Sequence, residues 1–497
     1  MTTIRPARTI PGARTATLWR IVALMLAVSG CARQRPQTVG IVFDGRPLTL
    51  DPNAHREIVT RSVLSNCFEG LVGFDPEMRI TPLLAGRWEN PDDVTWVFHL
   101  RPGVRFHNGR PLDAAAVVGS FRLVSGPAVS QPGGRLEDID TVYAADSATV
   151  VVRTVRPNAV LLNRLTKLYI VSGRPPRAVA RDTGAVAMLA GTGPYTIDSW
   201  RGDRMALTRW PGYWGPAPAA AGLRLLFREG HRGTAELLRR GDADIAAGIN
   251  TRDAGRIERL GGVRLLRRPG LAVRYLRADP AVKPYSDPAV RRAISLALDR
   301  QQLVDSTAAG YGRPASQMVT AAVFGFNPAL PPLGCDPDSA RALLAAAGYR
   351  GGPALLLDVI GTRRDLGALI QRQLRRAGFA CSLAVHGREE FFRGTGRPSH
   401  FFLSAVASNS GDASGALALG RAGGGEAATS GIMDPGRRLE ALQEAMAAFT
   451  ARLEFIPLFS EDDLSAVSDR VDWHPRQDLM VLGKEVTISR RDTDVLR

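Results

Sequence analysis

Gly191-Thr-Gly-Pro-Tyr-Thr-Ile-Asp-Ser-Trp200, running on to Trp210-Pro-Gly-Tyr-Trp-Gly215, constrains this chain more than any other stretch. It reads as a β-hairpin with aromatic ends. Gly191, Gly193 and Pro194 suit a tight turn leading into a strand. Tyr195 and Ile197 then alternate with Thr196 and Asp198, the period of a half-buried strand. Arg201-Gly-Asp-Arg204 supplies the reversal, and Met205 and Leu207 alternate on the return strand.

The rest of the chain mixes strands and helices. Val39-Gly-Ile-Val-Phe43 reads as a first strand, Asp44-Gly-Arg-Pro and Leu50-Asp-Pro-Asn53 as turns. A helix is expected over roughly Glu57 to Phe68. Thr95 to Leu100 and Val104 to His107 alternate on either side of Arg101-Pro-Gly103, which predicts a second hairpin. Asp113 caps a helix over Ala114 to Leu123. Asp287-Pro288 and Asp336-Pro337 each place an N-cap acid before a proline at the first helical position. Val290, Ala293, Ile294, Ala297 and Leu298 follow the first at helical spacing. Ala340, Leu343, Leu344 and Ala347 follow the second, with Gly348 placed as its stop. Arg364 to Ala377 is amphipathic, with Leu366, Leu369, Ile370 and Leu374 on one face. Gly423-Gly-Gly425 reads as a loop, Arg438 to Phe449 as a helix and Phe455 to Phe459 as a strand.

The N-terminus reads as a targeting segment. Arg5, Arg8, Arg14 and Arg20 precede Ile21 to Val28, an apolar run of eight residues, far short of the roughly 20 that span a bilayer. Val28-Ser-Gly-Cys31 resembles the lipobox of bacterial lipoproteins, in which the cysteine thiol is lipidated before cleavage. Residues 1–30 are then a signal peptide, and 31–37 tether the mature chain to a membrane surface. That chain, about 467 residues from Cys31, suggests two or three domains. The formal charge of +16 falls to +12 without the four signal arginines. Lysine occurs only at Lys167, Lys283 and Lys484, so the positive charge is arginine. It is scattered, with no basic stripe interleaved with aromatics, so nucleic acid is not an expected partner. Cys67, Cys335 and Cys381 cannot pair completely. Cys67 is expected on a core-facing helix, and Cys335 with Cys381 is the one bridge considered.

In order along the chain, several segments resemble those of the family-5 extracellular solute-binding proteins, the peptide- and nickel-binding receptors of ABC importers. They are Gly70-Leu-Val-Gly-Phe-Asp75, Thr95 to Gly109, Gly191 to Gly215, the helices after Asp287 and Asp336, Leu374 to Ser382, and Phe455-Ile-Pro-Leu-Phe459. The resemblance runs from about residue 39 to 490. It implies an α/β, two-lobed periplasmic-binding-protein type II fold, with hinge-connecting strands and a ligand cleft between the lobes. By that analogy lobe 1 is 38–268 plus 462–497 and lobe 2 is 269–461, with Leu271 to Leu276 and Ile456 to Phe459 near the crossings.

The implied function is a lipid-anchored, monomeric receptor at the periplasmic or extracellular face. It captures a small polar solute, peptides among the candidates, and delivers it to the permease subunits of an ABC importer. The same fold used for metal-chelate capture or signalling is the alternative. Nothing points to an enzyme: there is no G-x-S-x-G, H-E-x-x-H, phosphate loop or S-x-x-K. Gly191-Thr-Gly193 and Gly394-Thr-Gly396 lack the third glycine of a dinucleotide fingerprint, so no cofactor is expected. His99 and His107 fall in the expected second hairpin, and no metal site is expected. The resemblance places Phe43, Asp44, Arg46 and His55 beside the cleft. Peptide-binding members carry an aspartate that pairs with the peptide ammonium, in a stretch that aligns here with Ser404 to Asp412. Ser408 stands at that aspartate's place, beside Asn409, and Asp412 lies four residues on. An ordinary peptide amine would then be poorly neutralised.

Overall fold

The computed structural model describes residues 37–55, 57–124, 136–173, 190–393, 400–420 and 428–489. The expected signal peptide, Cys31, the tether up to residue 36, and the glycine segments at 394–396 and 423–425 lie outside them. From Val39 onward the chain forms one compact unit. Its first strands are β1 (Thr38–Phe43), β2 (Val72–Phe74), β3 (Ile80–Pro82), β4 (Ala85–Asp92) and β5 (Thr95–Leu100). Next come β6 (Ile139–Ala144), β7 (Thr149–Thr154), β8 (Tyr195–Arg201), β9 (Arg204–Arg209), β10 (Gly222–Phe227) and β11 (Ile245–Ala247). The remainder used below are β12 (Val263–Ala278), β13 (Gly312–Pro314), β14 (Ala354–Ile360), β15 (Ala380–His386), β16 (Phe401–Ala407) and β17 (Phe455–Ser468).

β12 and β17, at 16 and 14 residues, exceed the usual strand of about 5–6 residues because they serve two groups of strands. They pair antiparallel from Val263↔Ser468 to Pro269↔Asp462, and again from Val273↔Ser460 to Arg277↔Phe455. At the break, Gly270, Leu271 and Ala272 oppose the single residue Glu461, a bulge that bends the ribbon. Glycine is needed at its start, since a Cβ on Gly270 would lie 2.4 Å from the Glu461 carbonyl oxygen. The sheet order is β15-β14-β16-β12-β17-β11-β1-β10-β9-β8, with β13 also on β17.

Separate cores fill the two sides of this break. One centres on Ile41, Tyr195, Leu225 and Val467. Another gathers Ile294, Leu357, Ile370 and Ile456. A third lies under the separate sheet β4-β5-β7-β6. A fourth joins Phe74 and Met78 to Leu271, Tyr275, Leu442 and Phe455, so the β2–β3 hairpin reaches across to the second group.

The expected hairpin at 195–209 is present, reversing at Arg201↔Arg204. Its glycines have a different purpose from the one expected. A Cβ on Gly191 or Gly193 would come 2.0 Å from the Cys67 carbonyl oxygen or 2.6 Å from the Cys67 carbonyl carbon. This close approach lets Tyr195 N and Gly193 N donate to the carbonyls of Asn66 and Cys67, both at 3.0 Å. The same contacts explain why helix α1 (Ile58–Leu64), capped by Glu57, ends before Phe68. Cys67 is buried just beyond that helix.

The second expected hairpin is not formed. β5 pairs with β4 and β7, and beyond the turn at Gly103 only Arg105 bridges, to Pro111. The Asp-Pro starts hold: Asp287 and Asp336 accept from Ala289 N and Ser339 N. Gly348 ends the second of these helices at φ 87°. The expected 438–449 helix begins earlier, at Pro435, because Asp434-Pro435 is a third such start. Cys67, Cys335 and Cys381 are all free thiols, which leaves the considered bridge unformed. Cys381 lies in the core while Cys335 is exposed.

Candidate functional site

The strand directions locate a site before any side chain is considered. β11 runs antiparallel to the Ser465–Val467 half of β17, hence toward the break, and β1 is parallel to β11. On the other side β16 runs from Ala278 toward Ala272 of β12, again toward the break. β14 is parallel to β16, and β15 to β14. The carboxyl ends of five strands therefore converge on the bulge. In open α/β sheets, ligands bind in the crevice outside such ends.

The expected site residues distribute unevenly around this zone. Phe43 ends β1 inside the core, its ring centroid 6.3 Å from that of Phe227. Asp44 is exposed and its Oδ1 accepts from Gly230 N at 2.7 Å. Arg46 is exposed. His55 sits in the connection between β1 and α1, its Nδ1 3.2 Å from the Glu57 carbonyl oxygen. Its Nε2 is sheltered from solvent with no hydrogen-bond partner. Burial lowers its pKa, although Glu57 opposes the shift; the Arg61 charge adds to it. Ser408 and Asn409 follow β16. Ser408 is buried with its Oγ unpartnered, and Asn409 is exposed.

Asp412 is buried, and its carboxylate is already engaged. Arg438 donates to it bidentately, Nη1 to Oδ2 at 2.7 Å and Nη2 to Oδ1 at 3.0 Å. Ser414 N adds a third hydrogen bond at 2.9 Å. Asp412 therefore fastens the 408–414 loop to the helix Pro435–Ala451, leaving little capacity to receive a ligand ammonium. The sequence carried a sign of this. Arg438, Leu442, Met446 and Thr450 are the buried residues of that helix, a stripe at four-residue spacing headed by a charge, which calls for an internal partner.

Sequence reasoning missed a charged group at the bulge itself. Glu461 accepts from Arg274 at 2.7 Å and from Arg363, which follows β14, at 3.0 Å. Burial would raise the Glu461 carboxyl, but the two guanidinium groups outweigh it and hold it below the usual range. Asp462 is buried against Arg267 and lies 3.8 Å from Arg313. Asp463 is pushed up to about 7 by burial and by the charges of Asp462 and Glu461, with Arg268 opposing. At the end of β15, His386 Nε2 donates to Asp358 at 2.7 Å, which raises the imidazole pKa against its burial.

On the β1 side of the break a cavity of about 260 Å³ lies between α1, the β2–β3 hairpin and the C-terminal segment around Arg476 and Lys484. Its floor includes Glu69, buried and held by Thr192 Oγ1 at 3.1 Å, Tyr213 OH at 2.9 Å and Trp214 Nε1 at 2.7 Å. Two aromatics of the 210–215 segment thus serve to fix this acid. His107 packs edge-on to Trp210, and its Nε2 lies 2.9 Å from the Gly193 carbonyl oxygen. Among the described residues, no cluster of three or more His, Cys, Asp or Glu could hold a metal. Among them, too, no helix is long and apolar enough to cross a membrane.

Comparison with known proteins agrees with this geometry. The profile of the bacterial extracellular solute-binding proteins, family 5 middle region, matches residues 79–426. The glutathione-binding protein GsiB of Escherichia coli (strain K12) is 29% identical over 352 residues, covering 70% of this chain and 67% of that protein. HbpA2 from Haemophilus parasuis superposes with a TM-score of 0.79 at 21% identity, covering 91% of this chain and 100% of that one. DppA from Helicobacter pylori, solved with the peptide STSA, gives 0.74 at 19% identity, covering 91% and 98%. The fold is therefore the two-lobed, type II periplasmic-binding-protein fold that the sequence resemblance implied. The chain belongs to the bacterial extracellular solute-binding proteins of family 5.

Proposed function

We propose that this chain is the solute receptor of an ABC importer, which captures a small polar solute by closing two lobes and hands it to membrane permease subunits. The observation that carries this reading is the convergence of the carboxyl ends of β1, β11, β14, β15 and β16 on the bulge of the β12–β17 ribbon. A ligand held there touches both strand groups and so favours the closed arrangement. No covalent step is involved. The lobes are 38–268 with 462–497, and 269–461; the register break at Gly270–Ala272 supports a hinge at that division.

Contacts already span the two sides. Asn163 Nδ2 donates to the Ser410 carbonyl at 2.8 Å, and Ala159 N donates to that of Ser430 at 2.8 Å. Phe43, Asp44, Arg46 and His55 on one side, and Ser408 and Asn409 on the other, are the proposed crevice residues. Asp412 acts there through Arg438 as a positioning residue. Lipidation at Cys31 would hold the receptor at the membrane surface, each buried methylene contributing about 0.8 kcal/mol.

Two measurements test this. Mass spectrometry of the solute released on denaturing the purified protein identifies a ligand, and small-angle scattering with and without that ligand should show a smaller radius of gyration when it is bound. An unchanged radius would defeat the closure mechanism. Cys31→Ser should move the protein from the membrane fraction to the soluble one; a variant that stays with membranes rules out the anchor.

A further inference from the structure

We infer that the cavity beside α1 is an anion subsite, with Arg61 as the residue that binds the carboxylate of a small monoanionic solute. The inference rests on the reading of the crevice as a ligand site and names the class of solute.

Six charged side chains line the cavity: Arg61, Arg476 and Lys484 against Glu69, Asp75 and Glu485. Arg476 is fully buried and matched. It donates to Asp478 at 2.9 and 3.0 Å, to Glu485 at 2.6 Å and to the Phe74 carbonyl at 2.7 Å. Lys484 lies 3.6 Å from Glu69, which also holds its three neutral donors. Asp75 accepts from the Arg79 side chain at 2.6 Å and from two backbone N–H groups. Arg61 has no acidic partner among the described residues, and its Nε is sheltered from solvent without a hydrogen bond.

A guanidinium N–H sheltered from water without an acceptor is destabilising. A planar carboxylate relieves that cost through paired, charge-assisted hydrogen bonds. The cavity volume of about 260 Å³ far exceeds what one water needs, so the carboxylate can bring a carbon skeleton. Phe68, Leu83 and Met480 supply apolar wall for that skeleton. Asp75 and Pro76 also line the cavity, in the turn whose Met78 packs into the second group's core. The subsite thus lies on the flank of the crevice.

Titration of the full chain with hexanoate, hexanamide and inorganic phosphate tests the assignment, by calorimetry and by thermal unfolding. Hexanoate should bind and raise the melting temperature, and hexanamide should not. Arg61→Gln should weaken hexanoate at least 10-fold while its ligand-free melting temperature stays equal to the wild type or rises. Arg61→Lys should retain part of the affinity. Equal binding of hexanamide, hexanoate affinity unchanged in Arg61→Gln, or phosphate binding as tightly as hexanoate would each overturn the inference. A released natural solute that shrinks the protein on rebinding but is indifferent to Arg61→Gln would overturn the subsite alone, leaving the receptor reading in place.

Discussion

The loop after β16 and helix α1 stand on opposite sides of the strand break, and they treat charge in opposite ways. In the loop, the Asp412 carboxylate is engaged by Arg438 and Ser414. On α1, Arg61 Nε is sheltered and unpartnered, as is Nε2 of nearby His55. A charge satisfied from within the fold is finished structure; sheltered ring and guanidinium nitrogens left over await something from outside. The difference teaches that the residue most like a ligand reader in the sequence is a fastener.

The strongest way to break that contrast is to open the fastener. Arg438→Met should leave Asp412 buried without its partner and cost about 3–5 kcal/mol of stability, read by urea unfolding. The double variant Asp412→Leu with Arg438→Met should recover most of the loss, because no charge is then stranded. If Arg438→Met is neutral, Asp412 is reaching solvent or another cation, and it returns as a candidate ligand contact.

The strands, the Asp-Pro helix starts and the hairpin reversal were legible because each depends on local chemistry: alternation, a capping acid, a fixed proline φ. The crossings were approachable only through the family resemblance, since nothing local marks β12 as a strand that changes partners. The site was less legible for the same reason. Asp412 and Ser408 are close in sequence to the family's aspartate position, but whether a carboxylate is free depends on Arg438, 26 residues away. Arg61 looked like one more arginine among many, and only the pairing of every other ion on its cavity wall sets it apart. Gly191 and Gly193 are expected at a tight turn, whereas in the structure they admit the Asn66–Cys67 backbone at close range. Their close approach to Cys67 is a contact between segments more than 120 residues apart.

Glu69 offers a way to sharpen the comparison, because it is the matched acid beside the unmatched Arg61. Glu69→Gln keeps the shape but turns an acceptor of three hydrogen bonds into a group with its own N–H donors. The expected loss is about 2–3 kcal/mol, since hydrogen bonds to a charged group are the stronger kind. Hexanoate affinity should rise severalfold in the same variant, as Lys484 loses its counter-charge. A loss of stability without any gain in anion affinity would mean that Lys484 is too far from the cavity interior to matter.

The smallest expected effect lies at the bulge, between the two sides. The Asp463 carboxyl is pushed from 3.8 to about 7 by burial and by Asp462 and Glu461, against the opposing charge of Arg268. A carboxyl raised in the folded state contributes stability that is fully present below about pH 4 and is lost as pH rises to about 7. Asp463→Asn removes that titration. The variant should match the wild type near pH 4 and exceed it by about 1–2 kcal/mol at pH 8, a fraction of the full shift because neighbouring acids titrate together. Unfolding curves at both pH values decide it. A gap that is the same at pH 4 and pH 8 would show that Asp463 is ionised throughout. Asp463 would then be held by the charge of Arg268, while Glu461 and Asp462 keep their own arginines.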